Sequence, residues 1–237
     1  MEAPCGRLPP CITCCAVALE NRPRYTTGIA PKEEKVVSRR LRPWTVVNSR
    51  NLLDAEPFLK VHVETVELPD GRIISDYYQL EMPSYVCIYA ETEDGRALIC
   101  RQYRHGPRRI NFVFPGGHIS PDELPLDAAK RELMEETGFE AAAWTKLGSY
   151  TVNGNQGGAM SYMFHATGCR RVAEPQSDDL EETEILLMSR AELLSAIGRR
   201  EIALLSEIAL VSMVWQADIA HALATEESGA TASQNGP

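Results

Sequence analysis

Several things are missing from this chain, and each absence narrows what it can be. No stretch of its 237 residues stays apolar for the roughly 20 residues that a membrane-spanning helix requires. The longest apolar run near the N-terminus, Cys14 to Leu19, lacks the basic flank and the length of a signal peptide, so a cytoplasmic location is expected. An excess of positive charge is also missing. The formal net charge is −9, which argues against a general polyanion binder and against nucleic acid as a partner. It leaves small phosphorylated ligands open, because acidic side chains meet phosphates through a metal ion. There is no internal repeat. Nor does cysteine supply a framework: the seven cysteines are an odd number, and Cys87, Cys100 and Cys169 lie in or beside apolar runs as buried thiols. Cys5, Cys11, Cys14 and Cys15 crowd the N-terminus. Adjacent Cys14 and Cys15 do not readily share one tetrahedral zinc site, so a disordered or non-native leader is expected there instead.

What remains is an ordinary globular balance, 44% hydrophobic and 24% charged. Residues 1–43 carry Pro4, Pro9, Pro10, Pro23, Pro31 and Pro43 without sustained periodicity and are expected to form a flexible extension. A domain over 44–224 follows, with 44–82 as an N-terminal β region and 225–237 as a disordered tail. Phe58 to Leu68 alternates as a strand, Pro69-Asp70-Gly71 turns, and Arg72 to Leu80 returns, a hairpin that reads as a small dimerising sheet of its own. Strands are expected at Tyr85 to Ala90, Arg96 to Tyr103, Asn111 to Phe114, Trp144 to Val152, Met160 to Thr167 and Glu184 to Met188. Helices are expected at Leu124 to Thr137, closed by Gly138, at Arg190 to Ile197 and at Ser206 to Ala224. Strands on both sides of a central helix imply an α/β fold with a mixed sheet packed between helices.

Chemistry concentrates between Gly117 and Phe139. The segment reads Gly117, five residues, Glu123, seven residues, Arg131-Glu132-Leu133, one residue, Glu135-Glu136, one residue, Gly138-Phe139. On a helix Glu132, Glu135 and Glu136 stand at i, i+3 and i+4 and project from one face. Three such carboxylates repel unless a cation sits among them, and Mg²⁺ favours oxygen ligands of this kind. Arg131, four residues before Glu135, can fix that carboxylate's rotamer. Leu126, Ala129 and Leu133 lie on another face to anchor the helix. The Pro115-Gly116-Gly117 turn lets backbone approach metal and phosphates closely. A charged, solvated helix surface is the plainer alternative, but it does not account for the glycine turn before the helix and the glycine cap after it.

This pattern resembles the Nudix box at every defining position, and the strand order from about Trp44 to Ala224 resembles the Nudix fold, an α/β/α sandwich. The resemblance implies a Nudix hydrolase that uses Mg²⁺, or Mn²⁺, to cleave a phosphoric anhydride. It implies Glu132, Glu135 and Glu136 as metal ligands with the Gly116 carbonyl, Glu123 as an outer ligand or anchor, and Arg131 orienting Glu135. Glu135 or Glu136 would also assist a water. The flanks, Leu68-Pro69-Asp70-Gly71 and Cys100-Arg101-Gln102-Tyr103-Arg104, resemble the branch that hydrolyses ADP-ribose and nucleoside-diphosphate sugars. NADH, a coenzyme A derivative, a dinucleoside polyphosphate or a nucleoside triphosphate are alternative substrates, and a nucleotide-sensing regulator without turnover is an alternative class.

Arg101 and Arg104 are candidate phosphate clamps, with solvent-facing strand-end residues as the competing reading. Tyr103 could stack on a base or sit in the core. Gly117 and Asn155 are expected beside the substrate, Asn155 through the loop Asn153 to Gly158. The acidic run Asp178 to Glu184 supplies Glu181 and Glu182 as candidates to activate the water, since the resembling enzymes carry a glutamate in this region. The chain departs from the branch at Val113, where a glutamate is common, and in the glycine-rich loop after the box, where a proline is common.

Overall fold

A computed structural model describes residues 41–176 and 182–232, with backbone alone from 219 onward. Residues 1–40 of the expected extension at 1–43, with its four cysteines, residues 177–181 with Glu181, and the last five residues lie outside this range. The elements run β1 (Thr45–Ala55), β2 (Leu59–Glu67), β3 (Ile73–Glu81), β4 (Tyr85–Thr92), β5 (Ala97–Arg104), β6 (Arg109–Val113), α1 (Pro125–Thr137), β7 (Phe139–Glu140), β8 (Ala143–Asn153), β9 (Gly157–Arg171), β10 (Thr183–Met188), α2 (Arg190–Gly198) and α3 (Leu205–Ala232). This is the expected mixed sheet with helices. Among the described residues no helix is long and apolar enough to cross a membrane.

Structure and expectation differ at the two-residue β7, which was not expected, and at β1, the early hairpin and α3. Strand β1 was not expected, because all eleven of its residues are exposed and nothing selects alternation along Thr45 to Ala55. The early hairpin is not a separate sheet. It joins the main one where Leu80 and Glu81 of β3 pair in parallel with Gly157 and Gly158 of β9, just before Tyr85 of β4 pairs with Ser161. Finally, α3 continues to Ala232, across residues expected to begin a disordered tail.

Two apolar layers hold the sheet. Val86, Ile88, Ala90 and Leu98 pack on one face with Ala128, Ala129 and Leu133 of α1. Cys87, Tyr89, Ala97 and Ile99 pack on the other with Leu193 of α2 and Leu210, Val211 and Val214 of α3. This is the period of two along β4 and β5, with both faces covered. Each fully buried Ile or Leu here contributes about 1.5–3 kcal/mol. On α1 the anchoring face is Ala128, Ala129 and Leu133; Leu126, in the first turn, stays 37% exposed rather than anchoring the helix. The helix starts on Pro125, whose fixed φ suits a first turn, and ends where the Gly138 N–H donates to Met134 O at 2.8 Å.

A fork between β4 and β5 positions the site. The two strands pair at Glu91↔Ala97, beside their hairpin turn. Further along, β5 pairs with β6 from Cys100↔Val113 to Arg104↔Arg109. The next residues then cross to β4, where Val86 N–H donates to Gly117 O and Ile88 N–H to Pro115 O, both at 2.9 Å. The glycine turn thus follows β6 into the fork between diverging strands and is held there by the backbone of β4.

Candidate active site

Residues alternate along the wedged segment. The carbonyls of Pro115 and Gly117 face β4, so the N–H groups of Phe114 and Gly116 face away from it. Gly116 N–H donates to Glu136 Oε2 at 2.8 Å. No side chain fits at Gly116: a Cβ would lie 2.2 Å from the Val86 backbone oxygen. At Gly117 a Cβ would lie 2.4 Å from the Glu132 carboxylate, so that carboxylate rests directly against the turn. The spacing of the box therefore brings the face of α1 against the backbone of the turn.

Arg131 occupies the centre of the carboxylates. Its Nε and Nη2 donate to the two oxygens of Glu123, each at 2.9 Å. Its Nη1 donates to Glu132 Oε1 at 2.8 Å and to Glu135 Oε2 at 3.0 Å, and Nη2 also reaches His118 O at 3.0 Å. The cation that the clustered charges call for is, among the described residues, this guanidinium. It is 32% exposed, and Glu123 and Glu132 are 17% and 13% exposed, while Glu135 is 46% exposed, so the network is open to water on the Glu135 side. Arg131 is the main reason that the Glu123 carboxyl is held at about 2, with a further hydrogen bond from Ser120 N–H at 2.9 Å. Glu123 thus stands as an anchor between Arg131 and the loop. Among the described residues no three acidic, His or Cys side chains converge as a metal cage.

The strand β5 separates its two arginines. Arg101 is exposed and pairs with Glu184 of β10 at 2.8 Å. Arg104 points with the buried Gln102 toward the interior: with the Gln102 amide nitrogen toward Thr183, its oxygen accepts from Arg104 Nε at 3.0 Å. Tyr103 is 39% exposed, and its hydroxyl meets His105 Nδ1 at 3.2 Å. Glu182 is exposed and borders a cavity of about 310 Å³ with Arg101, Gln102 and Glu184. The Asn155 carbonyl accepts from Tyr77 Oη and Gln79 Nε2, each at 3.0 Å, and ties its loop to β3.

One buried acid was not expected. Glu207, in the first turn of α3, is 5% exposed. Its Oε2 accepts from Phe114 N–H at 3.1 Å and from the Cys87 thiol at 3.6 Å. Burial pushes its carboxyl up to about 7, against the pull of those two donors and of Arg104. The signal in sequence is faint: Glu207 is the one charged residue between Ile202 and Trp215.

The same stretch of chain identifies its relatives. Residues 81–205 match the NUDIX domain. The chain belongs to the Nudix family. It is a Nudix hydrolase, a family that works with divalent metal cations on small nucleotide substrates. Residues 44–80 match the nucleoside diphosphate sugar hydrolase N-terminal domain. The chain is similar to the ADP-ribose pyrophosphatase of Bacillus subtilis (strain 168), 28% identical over 145 residues, covering 61% of this chain and 78% of the relative. It is also similar to the ADP-ribose pyrophosphatase of Mycobacterium tuberculosis (strain ATCC 25618 / H37Rv), 30% identical over 115 residues, 48% of this chain and 55% of that one. Among solved structures, an ADP compounds hydrolase superposes with a TM-score of 0.66 at 20% identity, over 76% of this chain and 96% of that chain. At that identity the likeness concerns the fold.

Proposed function

We propose that this Nudix hydrolase cleaves the diphosphate of ADP-ribose or a related nucleoside diphosphate sugar, using Mg²⁺, in the cytoplasm. The observation that carries the reading is the intact box around Arg131, with Glu123, Glu132 and Glu135 on its guanidinium and Glu136 on Gly116 N–H. The match of residues 44–80 to a nucleoside diphosphate sugar hydrolase domain and the ADP-ribose pyrophosphatase relatives favour this substrate class.

The donor chemistry suits a hard divalent ion: Glu132, Glu135, Glu136 and the Gly116 carbonyl would offer it oxygen ligands alone, with Glu132 and Glu136 resting against the glycine turn. When bound, Mg²⁺ neutralises the diphosphate and lowers the pKa of a water. The chain's own groups do the positioning. Arg131 takes one oxygen of Glu132 and one of Glu135 and so sets both rotamers. Glu123 holds Arg131 in turn. Arg104, oriented by Gln102, is the better placed phosphate clamp, because Arg101 is already paired with Glu184. Glu182 is the candidate to accept the proton of the attacking water. Water adds to one phosphorus, the anhydride P–O bond breaks, and two phosphomonoesters leave.

A homodimer belongs to the same reading. Strand β1 exposes Val46, Val47, Leu52 and Leu53, an apolar set that a second copy would cover. The function is tested by a panel of ADP-ribose, ADP-glucose, GDP-mannose, NADH, diadenosine polyphosphates and nucleoside triphosphates with Mg²⁺ and with Mn²⁺. ADP-ribose or a nucleotide sugar is expected to give the highest kcat/KM with Mg²⁺. Preference for a triphosphate, or no turnover with any member, contradicts the assignment.

A further inference from the structure

Two carboxylates hold the glycine turn from opposite sides of the sheet, and only one of them belongs to the box. Glu136 comes from α1, which packs on the face of Val86, Ile88 and Ala90. Glu207 comes from α3, which packs on the face of Cys87 and Tyr89. They accept from Gly116 N–H and Phe114 N–H, the two N–H groups that alternation turns away from β4. Pro115, between them, has no N–H to offer. We propose that Glu207 is a positioning residue for hydrolysis: by holding Phe114 N–H from the α3 side, it fixes the backbone from which Gly116 presents its carbonyl.

The physical case starts from what a buried acid does for stability. Glu207 sits in an apolar layer with Leu210, Val211 and Phe114, without an ion-pair partner in hydrogen-bond contact among the described residues. Burying such a group costs free energy that its two hydrogen bonds offset only in part. Fold stability is therefore a weak reason for its presence. Its specific contribution is geometric. Phe114 stacks on Tyr89 with ring centroids 5.0 Å apart, so its side chain is fixed in the same layer whose backbone Glu207 engages. With Glu207 holding residue 114, Val86 and Ile88 holding Gly117 and Pro115, and Glu136 holding Gly116, every residue of the turn is held by at least one hydrogen bond. Displacing a reacting group by about 1 Å is enough to lower turnover about a hundredfold, so such redundancy matters at a site where the backbone itself is a ligand.

The inference rests on the functional reading above and is tested separately from it. Glu207→Met removes the acceptor at similar volume, and Glu207→Gln keeps an acceptor oxygen. Two quantities are measured in each full-length protein: Mn²⁺ binding without substrate, by electron paramagnetic resonance, and ADP-ribose turnover with Mg²⁺. Glu207→Met is expected to weaken Mn²⁺ binding and lower kcat, each about tenfold or more, with KM little changed in a protein that remains folded. Glu207→Gln is expected to stay within about threefold of native in both. A Glu207→Met protein that binds and turns over like the native one overturns the proposal, as does one that fails to fold, which would assign the carboxyl to the fold instead. Glu207→Gln as weak as Glu207→Met overturns the acceptor role. A native protein that neither binds Mn²⁺ nor hydrolyses ADP-ribose overturns the functional reading and this inference with it.

Discussion

The strands β1 to β3 and the segment from Gly116 to Gly138 belong to one sheet-based fold but are built on opposite terms. In the first, strand pairing does nearly all the work: β1 is exposed along its whole length, and Val66 is the buried hydrophobic residue of β2. In the second, almost every polar group is committed. Arg131 alone donates five hydrogen bonds, and a Cβ would collide with the Val86 backbone at Gly116 and with the Glu132 carboxylate at Gly117. The loose region has room and an exposed apolar surface. The tight region has neither, which is the condition for holding four carboxylates in fixed positions.

Glycine substitutions test this contrast most severely. Gly116→Ala drives a Cβ into the Val86 backbone, which cannot move without breaking the strand fork, and should lower stability by about 3 kcal/mol or more. Gly117→Ala meets the end of a flexible side chain instead. It should displace Glu132, cutting kcat about a hundredfold while the urea midpoint barely shifts. Gly71→Ala, in the β2–β3 turn at φ 86° with open space around it, should lose only about 1 kcal/mol and no activity. Equal losses at all three positions would erase the distinction between the regions.

The next effect is on pH. Glu207 carries a folded-state value near 7, above the ordinary 4.5 of an unfolded glutamate. The folded protein therefore holds the proton over that interval while the unfolded one releases it, so stability falls as pH rises from about 4.5 to 7 and then levels off. The loss is on the order of 3 kcal/mol. Glu207→Gln removes this component: urea midpoints at pH 5 and pH 8 should lie closer together in the variant than in the native protein. Parallel shifts in both would show that Glu207 does not titrate this way.

Smallest in stability, but sharp in mass, is Val47→Asp on β1, where Val47 is 57% exposed. It should change the unfolding free energy of the subunit by no more than about 0.5 kcal/mol while converting a dimer to a monomer by light scattering. A native protein that is already monomeric removes the dimer from the account.

How legible these regions were differs for physical reasons. Glu132, Glu135 and Glu136 could be placed on one face because a helix has a fixed period, and Pro125 and Gly138 mark its ends. Strand β1 could not be read, because a strand exposed throughout carries no alternation. The division of labour between Arg101 and Arg104 follows from a period of two, yet which face was inward depended on Gln102 and Glu184, contacts made across the sheet. The loop at Asn153 to Gly158 reads in sequence as a pocket-lining loop; its attachment to Tyr77 and Gln79 is set by residues 76 to 78 positions away in sequence. Glu207 left only the trace of one acid in an apolar run, since its partners Cys87 and Phe114 lie 120 and 93 positions upstream.

The central claim is that the carboxylate face of α1, held against the glycine turn, hydrolyses a nucleoside diphosphate sugar. It is tested most directly by ADP-ribose turnover with saturating Mg²⁺ in the native protein and in Glu136→Gln, whose folding is checked by circular dichroism. The account predicts AMP and ribose 5-phosphate from the native protein and a kcat lower by about a thousandfold in a folded variant. A folded Glu136→Gln that turns over at the native rate would contradict it.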